Sequence, residues 1–432
     1  MKPIGTSWLA LLAVGPALLA LQPALAHAGP ILPPGFILEV VADSLDFPGA
    51  VAIAPPPDGR IFYAETFAGR LRVIENGTLS PVSFLEVSDL AGGATQGLLG
   101  LVLDPDFAAN GNLYVYASSA VHGDNRVVRY TDDGLGAAVD PVVILGGIPT
   151  AEQHNGGAIE FAPDGTLLIQ TGENFDGPLA QDLGSLAGKI LRIQPDGGIP
   201  ADNPFVGVPG AREEIFSLGH RNGFGLAPDR LHPGPLRVYV SENGPEVEDE
   251  LNVAVSGANF GWPLERGHGG PPLYVDPIHV WATPVAPTGI AQYAGSAYPE
   301  PYEGSLLVGH FNAPLRISTI ERFALDPSGA AVEGVYTFMT GDLGPSGFIL
   351  DVLEGPDGLV YFTTGDALYR VTYDLRDADA DGCADEMDSA PQVASADEDG
   401  DGYGADCDCA DGDANVNPGM PETPGNGVDD DC

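Results

Sequence analysis

Three short segments carry residue types that could do chemistry. In Gln153-His154-Asn155-Gly156-Gly157 a histidine stands just before a glycine pair that opens an apolar run. On a loop, an imidazole titrating near neutrality can take a proton from a substrate hydroxyl. A structural hydrogen bond to backbone would use the same residue, and spacing alone leaves both roles open. In Gly219-His220-Arg221-Asn222-Gly223-Phe224-Gly225 the flanking glycines let a guanidinium come close to a ligand, clamp a carboxylate or stabilise an oxyanion. An ordinary surface loop could read the same way. Residues 241–250, Ser-Glu-Asn-Gly-Pro-Glu-Val-Glu-Asp-Glu, combine carboxylates with turn carbonyls. That suits a hard cation such as calcium, or equally a solvated acidic loop.

A second ligand set lies near the C-terminus. Asp377, Asp379, Asp381, Asp385 and Asp388 fall at positions 1, 3, 5, 9 and 12 of a calcium-loop spacing, with Gly382 at position 6. Asp397, Asp399, Asp401 and Gly402 repeat it, with Asp408 at position 12 and Ala405 offering no ligand at position 9. Asp411, Asp413 and Asn415 hint at a weaker third cluster. No helical pattern flanks these loops, which excludes a paired EF-hand domain. All four cysteines, Cys383, Cys407, Cys409 and Cys432, sit in this region. An even number in an exported module predicts two disulfides, with three pairings open. From Asp377 onward there are 18 acidic residues and no Lys or Arg. Without cations these charges would repel one another into a disordered tail. The spacing and the cysteines favour calcium and disulfides stapling a module too small for a core of its own.

The elements that must position the first three segments show in a repeat. Asp58-Gly59, Asp106 to Gly111, Asp164-Gly165, Asp229 to Pro235, Glu303-Gly304 and Asp357-Gly358 each lead into a short β-branched or aromatic run. These six units recur at intervals of roughly 50 to 75 residues. Turn residues that tolerate positive φ, followed by a run suited to an inner strand buried on both faces, predict repeated four-stranded sheets around an axis. A β-sandwich rarely needs so many residues, and a β-helix would repeat at a shorter period. The fold class is therefore all-β: a six-bladed β-propeller over residues 33–375, with a small irregular calcium-binding module over 377–432. The run Phe36 to Val41 is expected to complete the last blade and close the ring. Only short helical turns are expected, near Leu179 to Leu186.

Composition fits this reading. The chain has 432 residues, 44% of them hydrophobic, with 59 Gly and 40 Pro, as short strands joined by turns require. A formal net charge of −44 excludes a nucleic-acid partner, which needs a basic face. Lys2, the apolar run from Trp8 to Leu21 and Ala24-Leu25-Ala26 form an export signal over residues 1–26. The mature protein is accordingly expected in the periplasm, at the cell surface or outside the cell, with the tail as spacer or surface attachment.

Several ordered blocks in the large domain resemble the soluble quinoprotein glucose and aldose sugar dehydrogenases, which use pyrroloquinoline quinone. They include Gln96-Gly97-Leu98-Leu99-Gly100 with Asp104-Pro105-Asp106-Phe107, and His154-Asn155-Gly156-Gly157 with Thr171-Gly172-Glu173-Asn174. Further on come Gly188-Lys189-Ile190-Leu191-Arg192, His220-Arg221-Asn222 and Asn259-Phe260-Gly261-Trp262-Pro263. The resemblance implies a sugar substrate, His154 as base and Arg221 as the cation polarising the quinone carbonyl. It implies Gln96 and Asn222, besides His154 and Arg221, as cofactor contacts, and the carbonyls of Gly244 and Pro245 as calcium ligands. An electron acceptor is also implied, without its identity. The family's Lys after the strand at Ser305 to Val308 falls where this chain reads Gly309-His310-Phe311-Asn312-Ala313. Its arginines before Asp351-Val352 fall on Phe348-Ile349-Leu350, and its Gln after the Arg-Asn pair on Phe224. Arg126 and Arg316 are the candidates to replace those cations. The tail resembles the thrombospondin type 3-like, Asp- and Cys-rich repeats that bind calcium.

Overall fold

The computed structural model describes residues 29–299, 301–311, 317–373, 383, 390, 393–418 and 420. The expected export signal over 1–26 and the first calcium loop, Asp377, Asp379, Asp381, Asp385 and Asp388, lie outside the described residues.

Six antiparallel sheets stand around one axis. Blade 1 starts with Pro48–Ile53, Ile61–Glu65 and Arg70–Glu75. Blade 2 runs through Leu98–Leu103, Asn112–Ser119, Asp124–Asp132 and Ala138–Ile148. Blade 3 has Gly156–Phe161, Leu167–Thr171, Lys189–Ile193 and Ile215–Leu218. Blade 4 has Gly223–Pro228, Arg237–Glu242, Asp249–Val255 and His279–Trp281. Blade 5 has Pro287–Gln292, Leu306–His310, Ser318–Leu325 and Val332–Gly341. Blade 6 takes Val352–Glu354, Val360–Thr363 and Leu368–Tyr373 from the end of the ring. Its outer strand is Phe36–Ala42, paired from Phe36↔Tyr373 to Ala42↔Leu368. The closure expected of the N-terminal run is thus what the fold uses.

The runs after the Asp-Gly turns are inner strands, as expected, and each is the second strand of its blade. They read as strands buried on both faces because they are: Ile61–Glu65, Leu167–Thr171 and Leu306–His310 are buried at every residue. The strand lining the axis comes just before each of these turns. There, neighbouring blades approach backbone to backbone, so glycine is required. A Cβ on Gly100 would sit 2.1 Å from the Gly157 carbonyl, and one on Gly225 would sit 2.2 Å from that of Thr288. The six inner strands enclose a channel of about 250 Å³ lined in part by Glu160, Arg230, Asp351 and Glu354.

The core divides among the blade interfaces. One cluster packs Phe62, Leu71 and Phe84 against Leu101, Leu113 and Val115, joining blades 1 and 2. The last, Val51, Tyr63 and Ile74 with Tyr361 and Leu368, joins blade 1 to blade 6. Burial on this scale, about 25 cal/mol per Å² of apolar surface, makes the ring a rigid frame for the loops at its mouth. Among the described residues helix is confined to Phe107–Asn110, which was not expected, and a 3-10 turn at Gly177–Gln181, which overlaps the start of the region where helical turns were expected.

In the tail, Cys383 and Cys407 form a disulfide, and none of the described cysteines is free. No helix among the described residues is long and apolar enough to cross a membrane.

Candidate active site

The loops that open the inner strands converge on one mouth of the ring. Gly156 N–H donates to the Asn222 side chain at 3.1 Å, tying blade 3 to blade 4. Asn243 Nδ2 donates to the Pro287 carbonyl at 2.8 Å, tying blade 4 to blade 5. Phe47 N–H donates to Gly365 O at 3.2 Å, tying blade 1 to blade 6. His154, Arg221, Asn222, Gln96 and the Gly244-Pro245 turn all stand on this mouth.

His154 is the centre of a preformed arrangement. Its backbone is left-handed, φ +59°, which turns the imidazole out of the strand direction. Nδ1 lies 2.6 Å from Glu173 Oε1, and that carboxylate is only 3% exposed. Nδ1 is therefore committed to the carboxylate, while Nε2 makes no hydrogen bond to the described protein. Phe175 stacks on the imidazole with centroids 4.0 Å apart. Gly172 allows the Glu173 loop to come this close, because a Cβ there would meet the His154 carbonyl at 2.1 Å.

Arg221 sits on the adjoining loop. Its backbone N–H donates to Glu242, Nη1 donates to Asn243 O at 2.7 Å, and its guanidinium lies over the Trp262 ring at 5.3 Å. Burial pulls its pKa below the ordinary arginine value, and Glu173, Glu242 and Asp249 oppose the shift. The neighbouring His220 is fully buried between Ser217 Oγ at 2.8 Å and Glu242 Oε2 at 2.9 Å. It braces the loop from below. Gln96 reaches the same network indirectly: Nε2 donates to Thr150 Oγ1 at 3.0 Å, which donates on to Asn155 at 2.9 Å.

Gly244 and Pro245 line a small pocket with Arg221, Glu242, Glu248 and Glu250. Asp249 shapes the turn by accepting from Gly244 N–H at 2.7 Å and from Val285 and Ala286 N–H at 2.8 Å each. Burial and the neighbouring Glu242 charge push the Glu250 carboxyl well above the usual range. An excess of carboxylate beside turn carbonyls is chemistry that fits a hard cation.

The opposite side of the mouth is aromatic. Phe311 and Phe348 pack at 4.5 Å, Phe348 and Phe47 at 5.9 Å, and Phe47 and Phe67 at 4.8 Å. Two of these rings, Phe311 and Phe348, fall in the segments where the resemblance calls for Lys and Arg. Arg126 does not replace them, since it is bound to Asp124 at 2.7 Å on blade 2; Arg316 lies outside the described residues. Phe224 lines the central channel. Lys189 is fully buried, its Nζ donating to the carbonyls of Leu179, Ala180 and Ala187 at 2.8, 3.0 and 2.8 Å.

The three segments come together, but their spacing does not single out Glu173, Phe175 or Trp262. The available signal was Thr171-Gly172-Glu173: a glycine at a strand end next to a carboxylate, as a close crossing of two loops demands.

The class that fold and site define is a six-bladed propeller with a carboxylate-held histidine and a half-buried arginine at one mouth. The sequence pattern of the Glucose / Sorbosone dehydrogenase family matches residues 45–371, and the chain belongs to that family. It is 31% identical over 350 residues to the aldose sugar dehydrogenase YliI of Escherichia coli K12, spanning 76% of this chain and 90% of that one. With quinoprotein glucose dehydrogenase B of Acinetobacter calcoaceticus it shares 28% over 263 residues, 54% of this chain and 53% of the other. The PQQ-bound aldose sugar dehydrogenase of Streptomyces coelicolor superposes with TM-score 0.66 at 32% identity, covering 80% of this chain and all of that one.

Proposed function

We propose that this protein is an exported, quinone-dependent dehydrogenase that oxidises an aldose at its anomeric carbon. The observation that carries the reading is the His154–Glu173 pair at 2.6 Å, which leaves Nε2 for substrate. The residues present fit a planar, oxygen-rich group on that side of the mouth. Both amide atoms of Asn174, Arg221 Nε and Trp262 Nε1 are buried without a hydrogen-bond partner, a state that costs energy unless a ligand supplies the partners. His154, Arg221, Asn222 and Gln96 would hold the quinone, with calcium at the Gly244 and Pro245 carbonyls. When bound, pyrroloquinoline quinone supplies the acceptor for the hydride that leaves the anomeric carbon. His154 Nε2 takes the proton of the anomeric hydroxyl as the carbon–oxygen double bond of the lactone forms. Glu173 keeps the imidazole in one tautomer and stabilises its charge once protonated. Arg221 offers a fixed positive charge where negative charge develops, in a site whose burial strengthens the interaction.

The aromatic side of the mouth favours a second reading, a propeller that binds a sugar or a partner without redox chemistry. Reconstitution separates the two. The mature protein is mixed with pyrroloquinoline quinone and calcium, and quinone binding and dye reduction are followed over a panel of aldoses. Activity that disappears in His154→Ala supports the dehydrogenase; absence of quinone binding at micromolar cofactor leaves the binding propeller.

For the tail we propose one calcium at Asp397, Asp399, Asp401 and Asp408. The first three place carboxylate oxygens within 4.8 Å of one another. Asp408 is 6% exposed, and its Oδ2, like Asp399 Oδ2, is buried without a partner. Calorimetric calcium titration of the full chain should lose one site in Asp399→Asn; an unchanged stoichiometry refutes this assignment.

A further inference from the structure

The loop after Thr171 is held in an uncommon conformation. Phe175 has φ +57° and the preceding Asn174 φ +59°. Asparagine tolerates the left-handed region, but a bulky aromatic residue is an outlier there and costs energy to keep. Burial does not explain the cost, because Phe175 is 63% exposed. Its neighbours do fix the backbone: Glu173 N–H donates to Arg221 O at 2.9 Å, Asn174 N–H to His154 O at 3.1 Å, and Asp176 N–H to Glu173 O at 3.0 Å. What the conformation achieves is the stack on His154, at 4.0 Å and only 17° between planes.

That stack does something the Glu173 contact cannot. A hydrogen bond at Nδ1 fixes one atom of the imidazole and leaves the ring able to rock about the bond. A parallel ring in van der Waals contact removes that freedom and shields one face from water. We propose that Phe175 is a positioning residue for His154: strain in its backbone is retained because the ring fixes the plane of the imidazole and leaves Nε2 a single approach from the mouth. The proposal rests on His154 being the base. It makes Phe175 the determinant of how the reacting hydroxyl must be presented.

The test compares Phe175→Asn, which keeps a side chain tolerant of positive φ but loses the ring, with Phe175→Tyr, which keeps the ring. Three quantities are read: kcat and KM of the reconstituted enzyme, the melting temperature, and the rate at which diethylpyrocarbonate modifies His154 in the cofactor-free protein, followed by peptide mass. Phe175→Asn should lower kcat by about 3- to 10-fold, the range expected for one aromatic stack. KM should hold, melting temperature should stay level or rise, and His154 modification should speed up several-fold. Phe175→Tyr should match wild type on all counts. Unchanged kcat and labelling in Phe175→Asn would overturn the proposal. So would a loss of kcat accompanied by a fall in melting temperature, which would mark a packing role. A wild-type protein without quinone-dependent activity would sink the dehydrogenase reading alone. Labelling would then decide: faster modification at unchanged melting temperature upholds positioning, and equal rates overturn it.

Discussion

Glu173→Gln is the sharpest probe of the proposed base. The carboxylate is almost wholly buried, Oε1 lies 2.6 Å from His154 Nδ1, and Oε2 is buried with no partner. The substitution keeps shape and leaves a neutral hydrogen bond, so it removes only the charge that would steady a protonated imidazole. A charge-assisted hydrogen bond contributes about 1.5–3 kcal/mol, roughly twice a neutral one, so the loss is about 0.75–1.5 kcal/mol. At roughly 1.36 kcal/mol per tenfold in rate, that predicts a fall in kcat of about 4- to 13-fold. KM should change by less than about threefold, because no contact to the sugar is altered and the loss falls on the transition state. Steady-state dye reduction in the calcium- and quinone-loaded protein reads both quantities. The melting temperature should stay within about 4 °C, since a mouth-facing pair adds little to a six-interface core. A kcat within twofold of wild type would refute the claim that Glu173 acts through His154.

Two further substitutions test the frame. Burial, helped by the charge of Glu160, pushes the Asp351 carboxyl up to about 7 in the central channel. An acid raised above its unfolded value near 4 binds more protons folded than unfolded, so its contribution is favourable at low pH and is lost as pH rises from about 4 to about 7. Asp351→Asn, which can still accept from Val51 N–H, should therefore melt above wild type at pH 8 and with it near pH 4; parallel curves would exclude Asp351 as the cause. Lys189→Met leaves three buried carbonyls without the amine that bridges them, and burial pulls that amine down to about 7. At about 1–3 kcal/mol for each unpaired group the melting temperature should drop by about 5 °C or more; a drop under about 1 °C would show that the turn at Gly177–Gln181 does not depend on it.

Much of this molecule was legible in its residues, for definite reasons. The ring showed through because every second strand is buried on both faces and every turn before it needs Gly or Asp. Its closure showed because Phe36 to Val41 is a short apolar, β-branched run with no strand partner nearby in sequence. His154 and Arg221 drew notice because glycines flank them, but spacing left their roles open and only the resemblance supplied them; Gly156 and Gly223 mark where the Gln170 backbone and side chain pass close. The innermost strands were harder: Leu98–Leu103 and Gly223–Pro228 are apolar but broken by glycines at the points of close approach, and they show neither alternation nor a turn marker. Glu173 stayed hidden because its partner is 19 positions away, and a distance across two loops has no period. Phe175 was invisible for a sharper reason, since nothing in a residue type announces a positive φ. The aromatic half of the mouth was visible only as a missing charge; Phe311, Phe348, Phe47 and Phe67 come from three blades, and only folding brings them together.

The outer strand of blade 6 has a bearing on how the molecule is made. Glu39 and Arg370 meet across a separation of 331 residues, so the clasp joins one of the ring's earliest segments to its latest. In equilibrium terms the distance is cheap, because loop-closure entropy grows only with the logarithm of length. In time it is not, because contacts this remote form late. Until they form, two strand edges stand open at either end of a row of finished blades, each a template for another copy of the chain. The growing protein is thus most exposed to misassembly in its last moments, and a cut or deletion at Phe36–Ala42 would undo a blade encoded at the far end of the ring. A break in a loop between other blades leaves the clasp in place, which makes those loops the sites to open if the chain is ever rejoined in a different order.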